Sequence, residues 1–252
     1  NLDLKGKSLY NSAAVIVDGV LEGFQDKTLL PTYDVFDERR FFEPGRENKL
    51  WNIFGKHIAI TICEDIWQHS SLLKFDSYQH DPVEEIAVLH PELLINLSAS
   101  PFSVSKFHSR YEVCSKAAMA IKAPMFLCNQ VGGNDSLIFD GRSLFVNEKG
   151  ELVGYAKGFE EDLFVVDLSK EHPSVRYHVD PMEELHDALV LGLRDYFHKL
   201  GFSKACVGLS GGIDSAVVVY LAVEALSKEH VQGLLMPSRY SSPGSVEDAE
   251  AL

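Results

Sequence analysis

Short apolar runs alternate with turn signals along the first two thirds of the chain, a rhythm of strands with occasional helices. SAAVIVDGVLEG predicts two strands joined at Asp18-Gly19, a dipeptide suited to a tight hairpin turn. HIAITICED predicts a strand that ends at Cys63, and ELLINLSAS one that ends in small polar residues. The stretch between them is acidic and less periodic. KFHSRYEVCSKAAMAIKA carries apolar residues at helical spacing, and Pro124 stops it. PMFLCNQVGG and SLIFDGRSLFVNEKGELVGYA give further strands, with Lys149-Gly150 in a hairpin turn, and DLFVVDLS is expected to complete the series.

The pattern then changes. SKEHPSVRYHVDP has little periodicity, mixed charge and two prolines, a composition that suits a linker. Beyond it, EELHDALVLGLRDYFHKLG reads as an amphipathic helix with Gly201 as its C-terminal cap. KACVGLS reads as a buried strand, DSAVVVYLAVEALSKEH as a helix and VQGLLMPS as the next strand. Strand, helix, strand in that order begins a doubly wound parallel sheet. We therefore expect an α/β protein: a layered domain over 1–168, a linker over 169–182 and the start of a second unit over 183–252.

Composition narrows the functions open to such a chain. Hydrophobic residues make up 46% and charged residues 24%, as in folded globular proteins. The net charge of −14 argues against a nucleic-acid or membrane-surface binder, which needs clustered Lys and Arg. Small anions stay open, because backbone dipoles bind them on an acidic protein. No apolar run reaches the roughly 18 residues of a membrane span, and no basic-then-apolar signal opens the chain. Cys63, Cys114, Cys128 and Cys206 form no CxxC pair, so free thiols in a reducing cytoplasm are expected. The chain opens on Asn1 without Met and stops at Leu252 inside the helical pattern SVEDAEAL, so we expect a longer polypeptide.

Two stretches carry candidate chemistry. In GLSGGIDS, Gly211 and Gly212 permit a tight strand-to-helix turn whose N–H groups can wrap an anion, with hydroxyls from Ser210 and Ser215. Asp214 would repel a phosphate unless a divalent cation lay between them, which makes it a candidate Mg²⁺ ligand; the alternative is a residue that merely favours the helix dipole. The second stretch is Cys63, at a strand end where a thiol can face a cleft, the alternative being a buried structural cysteine.

Both stretches match known families. The turn resembles the SGGxDS loop of the ATP pyrophosphatases, which implies ATP binding along Gly208, Leu209, Ser210, Gly211, Gly212, Ile213, Asp214 and Ser215. It lacks the lysine of a Walker A loop. The surroundings of Cys63 resemble the nitrilase superfamily, whose Glu-Lys-Cys set implies an α-β-β-α sandwich. In GFQDKTLLPTYDVFDERRFFEPG the resemblance places Lys27 at the catalytic lysine, where its charge favours thiolate and an oxyanion. It gives the Glu64 N–H the second oxyanion contact. Glu38 resembles an accessory glutamate that holds the lysine ammonium, or else pairs at the surface with Arg39 or Arg40. Glu22 does not match the general-base glutamate, which is expected upstream of Asn1; a chain truly beginning there would have an inactive amidase.

LPTYDVFDERRFF, CEDIW, NLSASPF, NDSLIFDGRSL, ALVLGLRDYF, GLSGGIDSA and MPSRYSS together resemble the glutamine-dependent NAD⁺ synthetase family over nearly the whole chain. That resemblance implies L-glutamine, ATP with Mg²⁺ and deamido-NAD⁺ as ligands, and a homo-oligomer. It places Tyr33, Ser100 and Lys106 on the glutamine. Lys106 stands where some relatives have arginine and so loses bidentate geometry. Tyr33 is otherwise a packed loop aromatic and Ser100 a helix cap before Pro101. Arg239 approaches the ATP phosphates or forms a surface ion pair. Three other readings remain: a stand-alone carbon–nitrogen hydrolase, another ATP-pyrophosphatase amidotransferase, and a non-catalytic scaffold.

Overall fold

The computed structural model describes residues 9–70, 72 and 78–252. In chain order the elements are β1 (Ser12–Val17), β2 (Val20–Asp26), β3 (Leu50–Ile53), β4 (Lys56–Ile62), α1 (Pro82–Ala87), β5 (Leu93–Ser98), α2 (Lys106–Ile121), β6 (Met125–Asn129), β7 (Val131–Asn134), β8 (Leu137–Asp140), β9 (Leu144–Val146) and β10 (Leu152–Tyr155). After the long connection come α3 (Pro181–Lys199), β11 (Ala205–Leu209), α4 (Ile213–Leu226), β12 (Val231–Leu235) and α5 (Pro243–Ala251).

A six-stranded sheet of order β10-β9-β6-β5-β4-β3 forms the centre, with β4, β5 and β6 parallel. Its strands alternate faces with period two. Ala59, Leu94, Met125, Leu127, Leu144 and Val146 meet α1 and α2, which bring Val83, Ile86, Phe107, Val113, Ala117 and Ile121. The opposite face offers Ile58, Ile60, Ile62, Leu93 and Phe145 to Trp51 and to Ala13 and Val15 of the β1–β2 hairpin. Helices, sheet and hairpin thus make three layers. The hairpin's outer side is exposed at Ile16, Val20 and Leu21.

Most boundaries follow from local chemistry. Gly19 takes φ +79° and Asp18 φ 51° in the first hairpin, the positive angles that Asp-Gly tolerates. Asp180 accepts from the Met182 N–H at 2.7 Å and Pro181 opens α3, while Gly201 past its end sits at φ +74°. DLFVVDLS forms no strand. Phe164 and Val166 pack on the sheet's second face while Leu163 and Val165 point outward, so the alternation records one-sided packing without ladder bonds. β11 pairs with β12 in parallel, as the strand–helix–strand pattern requires, but both are partly exposed rather than buried. No described helix is long and apolar enough to cross a membrane.

Candidate active site

Cys63 sits directly after β4 with φ 45°, a left-handed backbone that a non-glycine residue rarely adopts. Such a bend swings the side chain off the strand axis at the carboxyl edge of the parallel sheet, as strained turns at functional sites do. Two adjoining clefts share Cys63 and Phe36 as walls. One, of ≈ 450 Å³, adds Lys27, Glu38, Ser98 and Asn129. The other, of ≈ 300 Å³, adds Tyr33, Glu64, Trp67, Ser100, Phe102 and Lys106.

Lys27 is not a solvated loop lysine. It is 2% exposed, and its Nζ meets Glu38 Oε1 at 2.5 Å. Glu38 therefore holds the buried ammonium, while the exposed Arg40 pairs with Asp37. Burial pushes the Cys63 thiol up; the Lys27 charge acts in the opposite direction, as does a hydrogen bond with Ser98. Two carboxylates, of Glu64 and Glu38, also raise it. Each is engaged elsewhere, Glu38 with Lys27 and Glu64 with two tyrosines.

The Glu64 side chain, which the sequence offered only for its N–H, is itself part of the second cleft. It is 3% exposed and accepts from Tyr33 Oη at 2.9 Å and Tyr78 Oη at 3.1 Å. Burial raises its pKa, and both phenols are raised in turn by burial and by its charge. Lys106 opens α2 on the other side of this cleft, its Nζ 4.6 Å from the Trp67 ring centroid. Burial first and then Arg110 lower its pKa. The cleft thus presents a carboxylate and an ammonium to whatever enters.

Ser100 caps no helix; α2 starts after Ser105. Its Oγ accepts from Arg110 Nε at 3.1 Å and its N–H donates to Asn129 Oδ1 at 2.9 Å. Arg110 is fully buried and forks onto Asp140 at 2.7 and 2.8 Å, a bidentate pair. Nothing in the local sequence marks this pair, since its members are 30 residues apart. Asp65 was also missed. Its Oδ1 accepts the N–H groups of Thr28 and Leu29 at 3.0 and 2.8 Å, and its Oδ2 that of Ile62 at 2.9 Å. One buried carboxyl therefore ties the loop after Lys27 to the turn at Cys63. Burial outweighs these three bonds and pushes its pKa up to about 7. The triplet Cys63-Glu64-Asp65 at a strand end was the available signal.

The glycine turn lines neither of these clefts. Ser210, Gly211 and Gly212 connect β11 to α4. Ser215 Oγ donates to the Gly212 carbonyl at 2.9 Å and lies 3.1 Å from Ser210 Oγ. Gly211 has φ +76°, and a Cβ there would stand 2.1 Å from the Ser245 carbonyl oxygen. Gly208, Leu209 and Ser210 line a ≈ 290 Å³ cleft with Leu235, Met236 and Ser245, at the carboxyl ends of β11 and β12 where doubly wound sheets bind ligands. Ile213 and Asp214 are exposed at the start of α4. Arg239 is exposed over the Tyr240 ring and is not among the residues lining this cleft.

Comparison with known proteins bears on both regions. Residues 2–177 match the carbon–nitrogen hydrolase family and residues 185–252 the NAD synthase family. The chain is 46% identical over 252 residues to the glutamine-dependent NAD(+) synthetase of Synechocystis sp., covering 98% of this chain and 45% of that protein. It is 40% identical over 284 residues to the Thermotoga maritima protein of the same name, covering 96% and 47%. The solved glutamine-dependent NAD+ synthetase of Acinetobacter baumannii in complex with ADP superposes with a TM-score of 0.89 at 36% identity, over 99% of this chain and 46% of that one. The chain spans about half the length of the curated relatives it matches.

Proposed function

The chain belongs to the carbon–nitrogen hydrolase family, and from that premise we propose that it supplies the glutamine-hydrolysing unit and the opening of the ligating unit of a glutamine-dependent NAD⁺ synthetase. The observation that carries this reading is the second cleft: a thiol on a strained strand end, facing a buried carboxylate and a half-buried ammonium. Glu64 complements the α-ammonium of a free amino acid and Lys106 its α-carboxylate. A glutamine held between them brings its amide carbon to Cys63.

Cys63 Sγ then adds to that carbon as thiolate. The Lys27 ammonium and the Glu64 N–H take the developing oxyanion. Collapse of the adduct breaks the C–N bond as the nitrogen takes up the proton that the thiol gave up; it leaves as ammonia, and water hydrolyses the remaining thioester to glutamate. Neither Glu38 nor Glu64 is assigned the thiol proton, since each is committed to other partners. Free ammonia is almost wholly protonated in neutral water, so delivery without release preserves the nucleophile.

In the second unit ATP occupies the cleft at Gly208, Leu209 and Ser210, with its phosphates on the turn Ser210–Ser215; the Acinetobacter baumannii relative is in complex with ADP, which supports an adenine nucleotide as ligand. Asp214 offers one exposed carboxylate, which fits a Mg²⁺ ion that takes its other ligands from water and phosphate oxygens. The ion would neutralise phosphate charge there. The carboxylate of deamido-NAD⁺ attacks the α-phosphorus, pyrophosphate leaves, and ammonia displaces AMP to give NAD⁺. Arg239, exposed beyond β12, supplies a further phosphate contact. A homo-oligomeric enzyme of the cytoplasm is proposed on the family resemblance alone.

The test is a pair of assays on the full-length protein. Cys63→Ala is expected to abolish NAD⁺ formation from glutamine and to leave formation from ammonium within about twofold of wild type. Loss of both in a folded variant would overturn the division of labour.

A further inference from the structure

The glutamine cleft is backed by an element from the other unit. Phe102, which lines the cleft, packs with Val131 and Ile138 of the β7–β8 hairpin and with Ala188 and Leu191 of α3. Its N–H donates to the Ile138 carbonyl at 2.7 Å. The hairpin starts straight after Asn129 and Gln130, which wall the thiol cleft, and ends at Asp140, the partner of Arg110. Its other side lies on α3 with almost no gap. A Cβ on Gly133 would meet Gly192 Cα at 3.5 Å, and a Cβ on Gly192 would meet Ile138 Cδ1 at 2.9 Å.

The contact is also clasped. The Gly133 N–H donates to Asp195 Oδ2 at 2.6 Å, and its carbonyl accepts from Lys199 Nζ. Asp195 and Lys199 stand one helical turn apart, with Nζ 3.9 Å from Oδ2, so two opposite charges grip both polar groups of one residue. A solvent-facing helix with no role in the cleft would need neither the facing glycines nor this pairing. α3 in turn packs against α4, whose N-terminus follows the glycine turn.

We propose that Asp195 and Lys199 are positioning residues of the glutamine site: by clasping Gly133 they set the hairpin, and through Ile138 and Phe102 the far wall of the cleft. The thiol site is complete only when α3 is docked, so a nitrogen donor is bound well only while the consuming unit is in place. The inference rests on the glutamine reading above.

The full-length protein with glutamine, ATP and deamido-NAD⁺ provides the test. Asp195→Ala is expected to raise the KM for glutamine about tenfold, with kcat changed less and ammonium-driven synthesis within about twofold. Asp195→Asn, whose amide oxygen still accepts from Gly133, restores the KM. Lys199→Ala, which loses only the carbonyl contact, gives a smaller rise in the same direction. An unchanged glutamine KM in both alanine variants overturns the inference, as does an equal fall of the glutamine and ammonium reactions in folded protein. A wild-type enzyme that forms no glutamate at all would instead sink the glutamine reading itself.

Discussion

The thiol cleft and the glycine turn are suited to the same task, holding a charged ligand, by opposite means. Around Cys63 the charges are side chains sunk in the protein: Lys27, Glu64, Asp65 and Arg110 are all at most 3% exposed. Each is held by named partners before any ligand arrives. At the turn after β11 the polar groups are backbone amides and small hydroxyls, and Gly212, Ile213 and Asp214 are exposed. Side-chain charges in a dry pocket have been desolvated during folding, so they act strongly on a ligand but depend on their neighbours. Backbone donors at a helix start depend only on local geometry. The first region should therefore fail chemically when one charge is removed, and the second sterically when one glycine is filled.

Removing the Lys27 charge is the harshest way to probe the first half of that contrast. Lys27→Gln keeps a polar side chain but takes away the ammonium that opposes burial at Cys63 and, in the proposed reaction, meets the oxyanion. It also leaves the Glu38 carboxylate without its ammonium partner, with only the Asn11 amide at 3.4 Å. Glutamine-driven turnover in the full-length protein is expected to fall by about 10²–10³, with ammonium-driven synthesis little changed. A fall under about tenfold would show that the buried charge is not what activates the thiol.

Filling the turn is the matching probe of the second half. Gly211→Ala forces a Cβ into a left-handed residue, at a cost of about 1–2 kcal/mol, and drives it into the Ser245 carbonyl. The KM for ATP should rise by about tenfold while glutamine hydrolysis stays within about twofold. Equal damage to both activities would mean that the turn and the cleft are not separable.

The same contrast explains what could be read from the sequence. The glycine turn was legible because local geometry dictates residue type: a strand, two glycines and a helix start lie within one short stretch. So was Cys63, at the end of an apolar run. Its supporting shell was not. Arg110 with Asp140 and Tyr78 with Glu64 meet only through the fold, and no local rule pairs them. Asp65 sat in plain view in CEDIW, yet three backbone donors reach it from Thr28, Leu29 and Ile62, and two of these come from another loop. DLFVVDLS failed for the converse reason. Its apolar run is real, but Phe164 and Val166 pack on the sheet's second face instead of pairing along an edge.

Asp65 gives the finest test of how far the cleft depends on buried charge. Its carboxyl titrates near 7 in the folded protein and near 3.9 in an unfolded chain. Between those values the folded state carries the extra proton, so stability declines as pH rises through this window and levels off above it. The thermal midpoint of the wild-type protein should therefore drop from about pH 4 to about pH 7. Asp65→Asn removes the titration but retains an oxygen for Thr28 and Leu29. Its amide then opposes the Ile62 N–H, a loss of roughly 0.5–1.5 kcal/mol that does not vary with pH. The variant should melt lower at pH 4 than wild type, with a flatter profile up to pH 7. A variant that kept the full wild-type slope would move the buried titration to another group and leave Asp65 as a plain backbone tie.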